Sequence, residues 1–200
     1  MNIKKLFKLV SPPIFIRIIN SIRNKFTTKL GIQGNYLSWD KAKNLTTGYD
    51  SKNIINVVKN ALLRVKNGEA EHERDGKNFD KIYYSWPLLS FLMLSAVKNK
   101  GKLNIIDWGG SLGTTYFQNR KFIKKLKNVK WNIVEQKNFV KCGKIFFQDN
   151  ELKFYNSVEE VIKYTNPNAI IFSSVLQYIE YPFKLLDDIF FYNFDYLTPV

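Results

Sequence analysis

The chain has 200 residues, 45% of them hydrophobic and 16% aromatic, which is enough to bury one domain's core and too apolar for general disorder. A single cysteine, Cys142, excludes an internal disulfide framework, and one Cys beside one His excludes a Cys/His zinc cluster. The net charge of +14 suggests nucleic acid, but only five of the 31 basic residues are Arg, the side chain suited to bidentate base and phosphate recognition; the expectation is a reduced cytoplasmic protein with no nucleic-acid partner and no metal.

The first 30 residues carry seven basic groups and no acidic one, with Pro12-Pro13 breaking the run. No apolar stretch approaches the roughly 20 residues that span a bilayer, and no small-residue cleavage site marks a signal peptide. Apolar positions 14, 15, 18, 19, 22 and 26 fit a helix flanked by Arg17, Arg23 and Lys25. Such a helix either docks on its own domain, the favoured reading, or gives residues 1–30 a peripheral contact with an anionic membrane at its inner face. "LSWDKAKNL" predicts a short helix capped by Ser38. "GYDSKNIINVVKNALLRVKNG" predicts a longer one, capped by Asp50 or Ser51 and ended by Gly68. "EAEHERDGKNFDKIYYS" reads as a polar loop in which His72 is solvated. "WPLLSFLMLSAVKNKG" begins with Pro in its first turn and is apolar almost all round, which predicts a buried helix.

After Gly101 the pattern changes. "LNIID", "VKWNIVEQ", "KFYN" and "NAIIFSS" read as strands, and "TTYFQNRKFIKKLKN", "SVEEVIKYT" and "YPFKLLDDIFFYN" as helices. Alternation of this kind predicts an α/β fold with a parallel sheet covered on both faces, over 101–200, preceded by a helical region over 1–100. Basic groups outnumber acidic ones twelve to two over 98–144, and from 145 onward the balance turns to three basic against eight acidic.

"IIDWGGSLGTTYF" puts a glycine turn at the carboxyl end of the first strand, where parallel sheets bind ligands. Glycines let the chain bend and its amides approach a ligand, and the next helix aims its N-terminus at the same place. Neither G-x-G-x-x-G nor G-x-x-x-x-G-K-[ST] fits the spacing. Acidic-x-G-x-G-x-G fits, with Ser111 at the middle glycine. Glu135 ends the next strand, 22 residues after Gly113, at the place where a carboxylate commonly holds ribose hydroxyls. Gly109-x-Ser111-x-Gly113 also spells a hydrolase nucleophile elbow. That reading lacks a base, because the only histidine, His72, precedes Ser111 and the elbow needs one downstream.

The glycine turn resembles motif I of class I S-adenosylmethionine-dependent methyltransferases. Together, "ERDGKNFD", "YSWPLL", "DWGGSLGTTYF", "WNIVEQ" and "SSVLQYIEYP" resemble a methyltransferase family associated with bacterial surface-polysaccharide biosynthesis, from about Trp39 to Pro182. The resemblance implies a Rossmann-like fold that binds S-adenosylmethionine through Asp107, Gly109, Gly110, Ser111, Gly113, Glu135, Gln136, Ser173 and Ser174. It implies a sugar or glycan-precursor acceptor, with Tyr178 and Gln177 on the acceptor side as catalytic candidates and Glu73, Arg74 and Asp75 beside them. A complete methyltransferase sheet has seven strands. "FDYLTPV" begins at most a fifth, so the expectation is a C-terminally truncated domain, and the alternative to an enzyme is a methyltransferase-fold protein that binds or interacts without turnover.

Overall fold

The computed structural model describes residues 35–45 and 52–199. The predicted N-terminal basic helix, and with it the membrane contact, lies outside them, as do the Asp50 and Ser51 caps. The chain divides into two compact units, Met1–Thr46 and Thr47–Val200. The described part of the first holds α1 (Trp39–Lys43), whose Ser38 Oγ accepts the Lys41 N–H at 3.4 Å as expected of an N-cap.

The second unit begins with α2 (Lys52–Lys66), which buries Ile55, Val58, Ala61 and Leu62 along one stripe. The stretch expected to be a loop instead forms a hairpin, β1 (His72–Arg74) against β2 (Lys77–Phe79), with Arg74 opposite Lys77. Its two-residue turn is Asp75-Gly76, both at positive φ (51° and 74°), a backbone that matches the twist of a hairpin and that Asp-Gly favours. The Asp-Gly pair was the signal, masked by the charged residues around it. His72 is correspondingly buried, 5% exposed, with its ring 6.0 Å from that of Phe79. Burial followed by the nearby Arg74 charge lowers its pKa, so the ring is neutral at pH 7.

Helix α3 (Trp86–Lys98) buries Leu88, Leu89, Leu92, Ser95 and Ala96, but Trp86, Leu94 and Val97 are exposed. The all-round burial expected of it fails because only one of its faces meets the sheet. Strands β3 (Lys102–Trp108), β4 (Asn128–Val134), β5 (Leu152–Tyr155), β6 (Ala169–Phe172) and β7 (Tyr196–Pro199) then alternate with α4 (Thr114–Ile123), α5 (Lys137–Phe146), α6 (Val158–Tyr164) and α7 (Pro182–Phe190). Every pairing in this sheet is parallel, in the order β5-β4-β3-β6-β7. Numbered by strand within the sheet, that order is 3-2-1-4-5, the first five strands of the doubly wound nucleotide-binding arrangement. The fold is α/β and Rossmann-like.

Side chains alternate across each strand, so the sheet separates two cores. Leu103, Ile105, Trp131, Ile133, Ala169 and Ile171 face α2, α3, α4 and α5. Ile106, Val134, Ile170 and Phe172 face α6 and α7. All four residues of β6 are buried, the signature of a central strand covered on both sides. Helix α2, the hairpin and α3, assigned by pattern to an N-terminal region ending near residue 100, belong to the same unit as the sheet. The apolar faces of α2 and α3 enter the same core as β3. Among the described residues, no helix is long and apolar enough to cross a membrane.

Candidate functional site

The order reversal lies between β3 and β6: from β3 the chain moves outward to β4 and β5, then returns to β6 on the other side. Crevices at such switch points, beyond the carboxyl ends of the strands, are where open sheets bind ligands. The glycine turn leaves β3 there. Its backbone explains the motif spacing. Gly109, Ser111 and Gly113 have φ of 71°, 54° and 106°, so the three alternate positions of the motif are the three at positive φ. Ser111 thus occupies the left-handed region at a place where glycine carries no steric cost, and an L residue there is strained by about 1–2 kcal/mol.

The turn packs tightly. A Cβ on Gly109 would lie 2.4 Å from Val175 Cγ2, and one on Gly110 would lie 2.5 Å from the Asp107 carboxyl carbon. The first contact brings the segment after β6 against the turn, and with it Ser173, half-buried, and Ser174, exposed and itself at φ 54°. The Ser174 carbonyl accepts the Gln177 side-chain amide at 2.8 Å. Gln177 and Tyr178 sit in a single 3-10 turn (Leu176–Tyr178), and Tyr178 is 71% exposed. Both are solvent-exposed and lie two and three residues beyond Val175, which packs on Gly109.

Three carboxylates flank the turn. Glu135, half-buried at the end of β4, accepts the Ser111 N–H at 3.3 Å through Oε1 and the Gln136 N–H at 2.6 Å through Oε2. Gln136 is exposed and serves as N-cap of α5. Asp107 is fully buried under Gly110. Its Oδ2 accepts the Trp131 indole N–H at 3.0 Å, while Oδ1 is buried with no hydrogen-bond partner. Burial, opposed by the indole hydrogen bond and reinforced by the Glu135 charge, pushes its pKa up to about 7. Asp107 therefore acts on the site through its field and its packing and makes no surface for direct contact.

The third carboxylate comes from the hairpin. Glu73 is 1% exposed, accepts the Gly76 N–H at 2.7 Å and bonds the Thr114 hydroxyl at the first residue of α4. Desolvation raises its pKa, although both hydrogen bonds oppose the shift. Its neighbours Arg74 and Asp75 are exposed, with Asp75 in the hairpin turn. Alternation along β1 turns His72 away from the side on which Glu73 meets Thr114, so no Ser111–His72 dyad forms, in line with the missing downstream base.

The charge of this site selects among ligands. One loop amide is already donated to a carboxylate, and two further carboxyl groups lie beneath and beside the turn. A pyrophosphate there would meet like charge, whereas a nucleoside that carries a cation would meet opposite charge. Among the described residues, no group of three or more His, Cys, Asp or Glu is arranged to hold a metal ion. Sequence reasoning did not single out Trp131, Thr114 or Val175. Each acts by touching a residue distant in the chain, and no local pattern announces such contacts. No protein-family model matches the chain, and no curated protein matches it significantly.

Proposed function

We propose that the chain binds S-adenosylmethionine at the 109–113 turn and transfers its methyl group to a sugar or glycan-precursor acceptor. The observation that carries the binding half is the coincidence of three positive-φ positions at 109, 111 and 113 with a carboxylate, Glu135, bonded to the middle one from the end of the neighbouring strand. The residues present suit such a cofactor: a half-buried carboxylate for a ribose diol and a loop that tolerates close approach. When bound, the cofactor supplies an electrophilic methyl group on a positively charged sulfonium.

The chain's own residues then bind and orient. Glu135 is fixed by two backbone N–H groups, so a hydroxyl that bonds it costs little further side-chain entropy. The Glu135 carboxylate sets a negative field at the turn, to which Asp107 adds as it ionises near pH 7. Holding acceptor and donor in line supplies much of the acceleration such a reaction needs. Tyr178 and Gln177, exposed just beyond Val175, are the groups best sited to meet an acceptor. The acceptor class itself follows from the sequence resemblance alone.

The test is calorimetric titration of the full chain with S-adenosylmethionine, repeated on Glu135→Ala and Asp107→Asn. Saturable binding that Glu135→Ala weakens by on the order of tenfold or more is expected for a lost ribose contact. No binding by the wild-type chain overturns the reading, and binding untouched by either change overturns the site.

A further inference from the structure

At the opposite end of the sheet from the glycine turn, the amino ends of β3 and β4 open into a cleft of about 840 Å³. Lys98, Lys100, Lys102, Lys127 and Lys130 line it, all of them exposed. Asp195 is the one acidic residue on its wall, and no carboxylate among the described residues lies within ion-pair distance of any of the five ammonium groups. Five like charges in one concavity repel one another, an arrangement that costs stability unless an anion occupies it.

The cleft is built on a rigid floor. Parallel register sets Lys102 beside Asn128 and Asn104 beside Lys130, on the face of the sheet that also carries Asn132. Asn104 donates to Thr165 Oγ1 at 2.8 Å and to the Asn166 carbonyl at 2.7 Å, and accepts from the buried Asn132 at 3.0 Å. Asn168 accepts the Asn104 N–H and donates to Ser95 Oγ. With these amides consumed by one another, the floor cannot rearrange to quench the lysines, and the rim amides of Asn128 and Asn166 remain for a ligand. Lys100 is itself held at φ 57°, a left-handed backbone that a lysine rarely adopts.

The lining chemistry is ammonium and carboxamide, with neither an arginine nor an aromatic ring. Base readout and strand stacking draw on guanidinium forks and aromatic rings, which this lining lacks, and a flat bilayer touches convex surfaces better than a cleft. A chain bearing both anionic groups and hydroxyls matches this lining. We infer that this basal cleft is a docking site for an acidic carbohydrate chain, whose carboxylate or sulfate groups meet the lysines and whose hydroxyls meet the rim amides. The inference is independent of what binds at the glycine turn.

The experiment titrates the full chain at an ionic strength of about 0.15 M, where the Debye length is about 8 Å, with a polygalacturonate oligosaccharide, a charge-matched mixed-sequence DNA oligonucleotide, and phosphatidylserine-containing vesicles. The triple variant Lys100→Gln, Lys102→Gln, Lys130→Gln is compared with an equal-charge control, Lys81→Gln, Lys163→Gln, Lys184→Gln. The cleft variant weakens oligosaccharide binding by on the order of tenfold and the control by less than about twofold, since only charges within roughly a Debye length of the ligand count. A single Lys100→Gly variant, which removes a charge and relieves its backbone, weakens binding without lowering the unfolding midpoint. Equal loss in the cleft and control variants overturns the inference, and so does DNA or vesicle binding that falls further than oligosaccharide binding in the cleft variant.

Discussion

Asp107→Asn keeps the shape of a buried side chain and removes its ability to ionise. In the native chain the Asp107 pKa stands near 7, against 3.8 for the free side chain. Between those values the unfolded chain releases a proton that the native chain keeps, so stability falls as pH rises from about 4 and levels off above about 7. Over that span of about three pH units, at about 1.4 kcal/mol each, the ionised carboxylate costs the folded state about 4 kcal/mol at pH 8. Asparagine does not bear that cost. It retains an acceptor for the Trp131 indole and places an amide donor where Oδ1 has no partner, a penalty of about 1 kcal/mol. The variant is therefore near wild-type stability at pH 5 and more stable by about 3 kcal/mol at pH 8. Urea unfolding of both chains at pH 5, 6, 7 and 8 reads this directly, and Glu73, also shifted upward, cancels in the difference. A difference independent of pH would refute the buried, uncompensated carboxyl group.

The turn and its partners give further expectations. Ser111→Gly relieves a left-handed serine and raises stability by about 1 kcal/mol in urea unfolding, and the Ser111 N–H that Glu135 accepts is kept. Gly110→Ala drives a methyl group to 2.5 Å from the Asp107 carboxyl carbon and lowers stability by about 1–3 kcal/mol, measured by thermal melting. Glu73→Ala removes the link between hairpin and α4, and hydrogen exchange at the Gly76 amide accelerates before global unfolding does. A cation bound near Asp107 lowers its pKa, so affinity for S-adenosylmethionine rises from pH 6 to pH 8 with proton release, measured by calorimetry in buffers of different ionisation heat; in Asp107→Asn that rise disappears.

The order of strands after residue 101 and three of the four helices were readable from periodicity, because a parallel sheet needs apolar runs and its crossovers need amphipathic helices; α5 (Lys137–Phe146), with its lysines and a mid-helix glycine, was not read. The Gly109–Gly113 spacing and the distance to Glu135 were readable for the same kind of reason: both are local and follow from one βαβ unit. The hairpin at 72–79 was not read, although Asp75-Gly76 announced it, because its strands are too short and too charged to alternate visibly. The one-sided burial of α3 was not readable either. Composition gives a helix's hydrophobicity but not how many of its faces meet a neighbour.

By itself the sequence determined the α/β class, the position of the glycine turn and the carboxylates that could serve it, since these depend on contacts within a few tens of residues. Only the tertiary structure decided that Ser111 is held at positive φ, that Asp107 lies beneath Gly110 on Trp131, and that Glu73 crosses from a hairpin to cap the approach to α4. It alone gathered lysines from the end of α3, the connections before β3 and β4, and those two strands into one cleft at the other end of the sheet. Charge and burial at a site are sums over residues far apart in the chain, and only the fold sets which residues enter the sum.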